Sequence, residues 1–315
     1  MKASLPVAEP EVRTEPERKT SNRLRGMKNK RLNQKPKKSQ KINKGLQKVS
    51  VYILLIIFAL VFIVPFVWLL SGSVKSNSEL FANPPIWIPE VFRWSNYKEA
   101  FTAFPFFLYL KNTLIIVFFT CLGAVISNSV IAYGFSRIDW KYRDAVFVFV
   151  LATLMLPFQV IMVPLFLLFK QIGWVGTFLP LIIPHFFGNP FFIFLLRQFF
   201  KGIPKELSES ARIDGANEFM IFLKVIIPLS KPILATVVIF QFIEAWRDFL
   251  GPLIFLSDNR LYTLSLGVQQ IMSQNDPRWA LLMAIGVSMS LPIIIIFFFL
   301  QRYFIEGITF TGSKG

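Results

Sequence analysis

Few polar residues stand where they could do chemistry within the apolar stretches of this chain. Gln241, Glu244 and Asp248 recur at spacings of three and four, and Arg247 follows Glu244 by three. Such spacings place side chains on one face of a helix, so a Glu244–Arg247 ion pair there would offset part of the cost of putting charge among apolar residues. Two roles stay open for this set: a structural pair locking the helix to its neighbours, or contact with a polar solute in transit. Asn128 and Asn189 carry the same two readings. Catalysis fits the residue types poorly. His185 is the only histidine and Cys121 the only cysteine, so no Ser-His-Asp set, His and Cys metal cluster or intrachain disulfide is in view. His185 reads as a packed residue, with a proton relay as the alternative. A glycine-rich phosphate loop of the G-x-x-x-x-G-K-[ST] kind is missing as well. An enzyme is therefore not expected, nor a metal or cofactor, and any energy from ATP must enter through a partner.

The elements that position these residues are read from charge-free runs. The chain has 315 residues, 54% of them hydrophobic and 36 of them Phe, with a mean hydropathy of +0.55, which points to a polytopic helical membrane protein. A bilayer crossing needs about 20 mostly apolar residues. Runs of 26, 25, 25, 26 and 23 residues without Asp, Glu, Lys or Arg lie after Lys48, Lys111, Asp144, Lys170 and Arg278. A sixth span, from about Ile226 to Leu250, is the one that carries Glu244, Arg247 and Asp248. Six crossings put both termini on one side. Pro157, Pro164, Pro180, Pro184 and Pro190 fall in the third and fourth spans, where each deletes a backbone donor and bends or interrupts a helix. In lipid this is tolerated where other helices or water satisfy the freed carbonyls, so these spans should pack in a bundle. They meet at a short turn, Gly173-Trp174-Val175-Gly176. Between the first two spans a long excursion, Ser73 to Lys111, contains Pro84-Pro85-Ile86-Trp87-Ile88-Pro89, which excludes a regular helix. Trp87 and Trp94 suit a membrane surface.

Basic residues orient the array. The tail to Ser50, the loop from Ser136 to Asp144, the segment from Arg197 to Lys231 and the end from Arg302 together hold 26 Lys or Arg, against 7 in the alternate loops. The positive-inside rule then places both tails in the cytoplasm. Most of the formal charge of +16 is thus a topology signal, with anionic lipid, not nucleic acid, as the ordinary partner of the basic tail. Residues 1–49 read as a disordered basic cytoplasmic tail, too long and charged for a secretory leader. Residues 50–302 form the six-helix membrane domain, with a polar loop at 201–228, and 303–315 a cytoplasmic tail.

That loop is the strongest polar feature on the cytoplasmic side. Pro204 suits a first helical position, Glu206 the positive helix end, and Gly215 the left-handed position that closes a helix of about three turns. Ile203, Leu207 and Ala211 give it a narrow apolar stripe, flanked by Glu206, Glu209 and Arg212. A second helix restarts at Asn217 as cap, with Glu218 in its first turn, and runs to Pro228. So short a hairpin is marginal alone. It either lies on lipid or docks on a soluble partner.

Glu209-Ser210-Ala211, then three residues, Gly215, nine residues and Val225-Ile226-Ile227-Pro228 resembles the EAA loop of ABC importer membrane subunits. The departures are at Ser210, Val225 and Ile227. The wider runs Phe194-Leu195-Leu196-Arg197-Gln198-Phe199-Phe200, Ile203-Pro204 and Ala211-Arg212-Ile213-Asp214-Gly215-Ala216 are similar to the carbohydrate branch, in particular to the smaller permease of maltose-type transporters. Asn96-Tyr97, Ala132 to Arg137, Trp246-Arg247-Asp248-Phe249, Tyr262-Thr263-Leu264 and Gln301-Arg302-Tyr303-Phe304 extend the match from about residue 50 to the end. Arg247 stands where the family usually has Asn, and the basic tail is longer than usual. The resemblance implies a type I ABC importer membrane domain in a bacterial inner or plasma membrane. It implies a second related permease, two cytoplasmic ABC ATPase subunits and an extracytoplasmic solute-binding protein as partners, and a sugar or oligosaccharide as cargo. It makes Glu206, Glu209, Ala211, Arg212, Asp214, Gly215 and Ala216 the residues that couple to the ATPase, and turns the loop from Pro252 through Tyr262 to Gln270 towards the binding protein. Competing readings are an ABC permease for another polar solute, such as glycerol phosphate, and an ion-coupled carrier acting alone through Glu244, Arg247 and Asp248.

Overall fold

The computed structural model describes residues 38–274 and 278–312, with side chains over 48–274 and 278–302, and the described residues contain helices but no strand. Two compact units divide the chain, Met1–Phe66 and Val67–Gly315. Residues 1–37 of the expected tail lie outside the described residues. From Lys38 the chain is already helical, ahead of the boundary expected at residue 50, in α1 (Lys38–Gly72). Its stretch over 48–64 is apolar and solvent-exposed in the isolated chain, the condition of a helix made to face lipid or another subunit.

The remaining elements follow as α2 (Asn77–Leu80), α3 (Ser95–Thr102), α4 (Phe106–Ser136), α5 (Arg143–Ala152), α6 (Phe158–Gln171), α7 (Leu179–Ile182) and α8 (Pro190–Gly202). Then come α9 (Lys205–Ile213), α10 (Glu218–Ile221), α11 (Ile227–Leu229), α12 (Lys231–Arg247), α13 (Leu250–Phe255), α14 (Leu264–Met272) and α15 (Trp279–Gly312). The last helix passes through the expected tail boundary at residue 303 without a break. Four helical stretches are long and apolar enough to cross a membrane, Lys48–Gly72, Phe106–Ser136, Leu179–Gly202 and Trp279–Arg302, and two bent pairs raise the number to six.

Proline chemistry explains the bends. The pair α5 with α6 turns by 97° where Pro157 follows a short 3-10 turn, and the pair ending in α12 turns by 78° at Ser230. Pro228 does not stop its helix as expected; it remains inside α11, and the break comes two residues later. A π turn over Phe222–Ile226 precedes it, which includes Lys224, the residue whose carbonyl Pro228 cannot serve, so the wider ladder absorbs the missing donor. Gly173 and Gly176 take φ values of +74° and +84° and form the expected turn. The helix α4 starts at Phe106, earlier than the uncharged run, because Lys111 is carried on its exposed face.

Helix α4 is central, lying against α8 and α12, while α12 also lies against α15. One apolar cluster gathers Tyr109, Val117, Phe242, Trp246, Leu264 and Ile285, and another Tyr133, Phe192, Leu196, Phe200, Ile221 and Val237. Polar locks close the non-cytoplasmic ends. The Asn112 amide donates to the carbonyls of Arg260 and Tyr262, each at 2.9 Å, and the Leu264 amide donates to Thr113 Oγ1 at 3.0 Å. Asn96 donates to the carbonyls of Ser73 at 3.0 Å and Lys75 at 2.8 Å, tying the Pro-rich excursion, irregular as expected over 82–94, to the end of the first span.

Candidate functional site

The polar hairpin is built by local signals. Pro204 (φ −53°, ψ 136°) is the residue just before α9, one position earlier than expected, and Glu206 occupies the first turn. Gly215 closes the helix at φ +85°, with the Ala216 amide donating to the Ala211 carbonyl at 2.9 Å and the Gly215 amide to the Arg212 carbonyl at 3.0 Å. That pairing is the Schellman closure, which needs a left-handed residue. Asn217 then caps α10, its Oδ1 accepting from the Met220 amide at 2.8 Å.

Three contacts fix the hairpin and the span ends around it. Glu218 accepts from Arg212 Nε at 2.8 Å on one oxygen and from the Tyr133 hydroxyl on the other, so one carboxylate joins α9, α10 and the end of α4. The same hydrogen bond raises the Arg212 pKa. Arg137 donates to the carbonyls of Phe200 and Ile203, tying the end of α4 to the end of α8 and the start of the hairpin. Arg197, 6% exposed, donates to Asp144 Oδ1 at 2.6 Å and to the Phe135 carbonyl at 3.1 Å, with its guanidinium 3.9 Å over the Phe147 ring. None of Tyr133, Arg137, Asp144 and Arg197 is a site candidate by sequence, although Tyr133 to Arg137 and Arg197 lie in the runs that carry the family resemblance. A tyrosine and an arginine at a helix end four residues apart are the signal that was there to use.

The expected apolar stripe is only partly right. Ile203 is buried and Ala211 half-buried against the core, but Leu207 is 44% exposed and Ser208 takes the inward place. Since α9 begins at Lys205, the inward line runs through Ser208 and Ala211, three apart, and Ile203 lies outside the helix. The outward surface keeps Glu206, Glu209, Asp214 and Gly215 exposed, beside Ile213 at 87% and Phe219 at 68% exposure. Between this hairpin and the loop after α4 lies a cleft of about 620 Å³.

The intramembrane polar residues do not form one site. Glu244 and Arg247 are both exposed and, among the described residues, make no ion pair with each other, contrary to expectation. In the last turn of α12 both long side chains are exposed, and an exposed pair gains little from being held in one geometry. Asp248, just beyond the helix, accepts from the Gly251 amide at 3.1 Å and so starts α13. Gln241 is fully buried, and neither its side-chain nitrogen nor its oxygen has a hydrogen-bond partner among the described residues. Asn128 and Asn189 do meet: Asn128 Oδ1 accepts from the Asn189 amide at 2.6 Å, and Asn189 Oδ1 accepts from the Phe191 amide at 2.9 Å as the cap of α8. That favours a structural role for both at the break near Gly188. His185 is half-buried in a 3-10 turn whose carbonyl accepts from Ser127 Oγ at 3.1 Å. No group of three or more His, Cys, Asp or Glu suited to a metal occurs among the described residues.

Known proteins resemble this chain in sequence and fold. The chain is 35% identical over 275 residues to the arabinooligosaccharides transport system permease protein AraQ of Bacillus subtilis (strain 168), covering 86% of this chain and 97% of that protein. It is 30% identical over 274 residues to the trehalose/maltose transport system permease protein MalG of Thermococcus litoralis, covering 86% and 98%. Its fold matches, with a TM-score of 0.73 and 24% identity, a chain in the crystal structure of a bacterial ABC transporter involved in the import of the acidic polysaccharide alginate, covering 83% of this chain and 98% of that one. Residues 129–309, which take in the hairpin, the bent spans and most of the last helix, match one family as a unit. The chain belongs to the binding-protein-dependent transport system inner membrane components, as a multi-pass permease subunit of an ABC importer.

Proposed function

We propose that this permease carries sugars or oligosaccharides, and that its hairpin transmits the ATPase stroke to the spans. The cargo reading is supported by the named cargo of the relatives; the coupling reading is carried by one observation. A short helix closed by a left-handed glycine presents Glu209, Asp214 and Ile213 outward while Glu218 and Ala211 fasten it to α4 and the core. A helix held on one side and bare on the other is a lever: force on the bare face moves the ends of α4 and α8 together. The partners on this reading are a second permease, two cytoplasmic ATPase subunits, which perform the hydrolysis, and an extracytoplasmic binding protein. Glu206, Glu209, Ala211, Arg212, Asp214, Gly215 and Ala216 form the coupling segment, with Arg212 acting inward through Glu218. Glu244, Arg247 and Gln241 are left as candidates to line the pathway.

The test is Gly215→Pro and Glu209→Lys in the assembled transporter. Proline cannot adopt φ +85° and removes the amide that bonds Arg212, while lysine reverses an exposed charge. Both variants should insert normally, retain ATP hydrolysis and lose sugar uptake. Uptake at the parent rate in both would sink the coupling reading. Crosslinking from a Ser210→Cys variant should capture the ATPase; Ser208, 4% exposed, is unsuitable for the purpose.

A further inference from the structure

The cleft beside the hairpin has a chemistry that the lever does not use. It is lined by Arg137, Asp139 and Arg143 from the loop after α4 and by Lys201, Lys205, Ser208, Glu209, Arg212 and Glu218 from the other side. Two of those carboxylates are taken: Asp139 by Arg143, and Glu218 by Arg212 and Tyr133. Lys201 and Lys205 are exposed and, like Arg137, form no ion pair among the described residues, which leaves three cations against the single unpaired Glu209. Six buried side-chain nitrogen or oxygen atoms lack a hydrogen-bond partner among the described residues, and three of them, Arg137 Nε, Arg143 Nε and Ser208 Oγ, belong to this lining. All three can donate. Leaving such a group unmet is costly, so three donors among the residues on the two sides of one cleft call for an acceptor.

The surroundings narrow the acceptor's kind. A volume of about 620 Å³ lies within the range of small-ligand pockets. Two ammonium groups facing donors suit an oxyanion that accepts several bonds at once. Trp140 and Tyr142, 41% and 67% exposed, stand beside it in the loop that follows α4, as aromatic side chains do at head-group depth. We propose that this cleft binds a phosphate-bearing anion, seated against Lys201, Lys205 and Ser208, at the joint between the 137–144 loop and the hairpin. The phosphate is that of an anionic phospholipid of the cytoplasmic leaflet or a soluble phosphate. The site rests on the cleft and the membrane topology, and would stand even if the coupling reading fell.

The experiment uses the assembled transporter in nanodiscs. In the lipid arm a photoactivatable phosphatidylglycerol analogue is crosslinked and mapped by peptide mass spectrometry. In the phosphate arm, bilayers of phosphatidylcholine alone receive inorganic phosphate, and acylation of Lys201 and Lys205 by a water-soluble reagent is followed. Labelling of peptides within 137–143 or 201–212 identifies the lipid, and phosphate-dependent protection of the two lysines identifies the soluble anion; either supports the site. At about 1 kcal/mol per lysine near an anionic surface, a Lys201→Gln, Lys205→Gln double variant should lower lipid labelling about tenfold or more. Lys201→Arg with Lys205→Arg should keep it, because charge and donors remain. Equal labelling of parent and Gln variant together with unprotected lysines would overturn the proposal. So would loss of labelling in the Arg variant, or labelling only when the ATPase subunits are stripped away, which would make the cleft a partner's seat.

Discussion

At Gly215 the backbone alone decides which residue is allowed. Its φ is +85° and an added Cβ would meet nothing within 4 Å, so sterics with neighbours play no part. A non-glycine residue in the left-handed region costs about 1 to 2 kcal/mol, and asparagine less than alanine. Gly215→Ala should therefore speed amide exchange over residues 211–217 roughly five- to thirtyfold, with Gly215→Asn between it and the parent; no change in the alanine variant would mean the turn is not held this way. This residue was legible because left-handed geometry leaves a mark on the sequence. Ser208 was not, since a small hydroxyl reads alike on either face of a helix, and only the start of α9 at Lys205 turns it inward. Glu244 and Arg247 failed in the opposite way: correct spacing for a pair, at a helix end where neither is confined.

Among the elements, the joint between α4 and the hairpin depends on one carboxylate with unequal partners. Arg212 and Glu218 are 45% and 44% exposed, and a pair so open to water is worth about 0 to 1 kcal/mol. The Tyr133 hydroxyl comes from a side chain 5% exposed, so removing its acceptor strands a buried donor, at about 1 to 3 kcal/mol. Glu218→Ala should thus loosen the hairpin clearly more than Arg212→Ala, seen as faster proteolytic nicking between residues 205 and 217 in the purified transporter. Equal nicking in the two variants would show that the hydroxyl is not the anchor. The helices of this joint were readable from Asn217, Glu218 and Gly215, each a local signal. The joint itself was not, because Tyr133 and Glu218 are 85 residues apart and only packing brings them together.

For the whole chain, hydropathy and charge give a topology more readily than a shape. Charge-free runs mark five spans and an apolar start marks the sixth, yet neither shows that two of them are bent by 97° and 78°, since a bend needs no charge and proline marks only its neighbourhood. Orientation rests on the division of 26 basic residues against 7 between alternate loops. Ser210 and Asn259 are both exposed and lie on opposite sides of one span by that rule, with α12 between them. In a Cys121→Ser background, which removes the one native thiol, Ser210→Cys should react with a membrane-impermeant maleimide only after the cytoplasmic side is opened, and Asn259→Cys in intact cells. Modification of both from the same side would mean that the bent segment ending in α12 re-enters the membrane without crossing it. The hairpin and the loop before α14 would then share a compartment, and neither an ATPase below nor a binding protein above could address this subunit as its family's architecture demands.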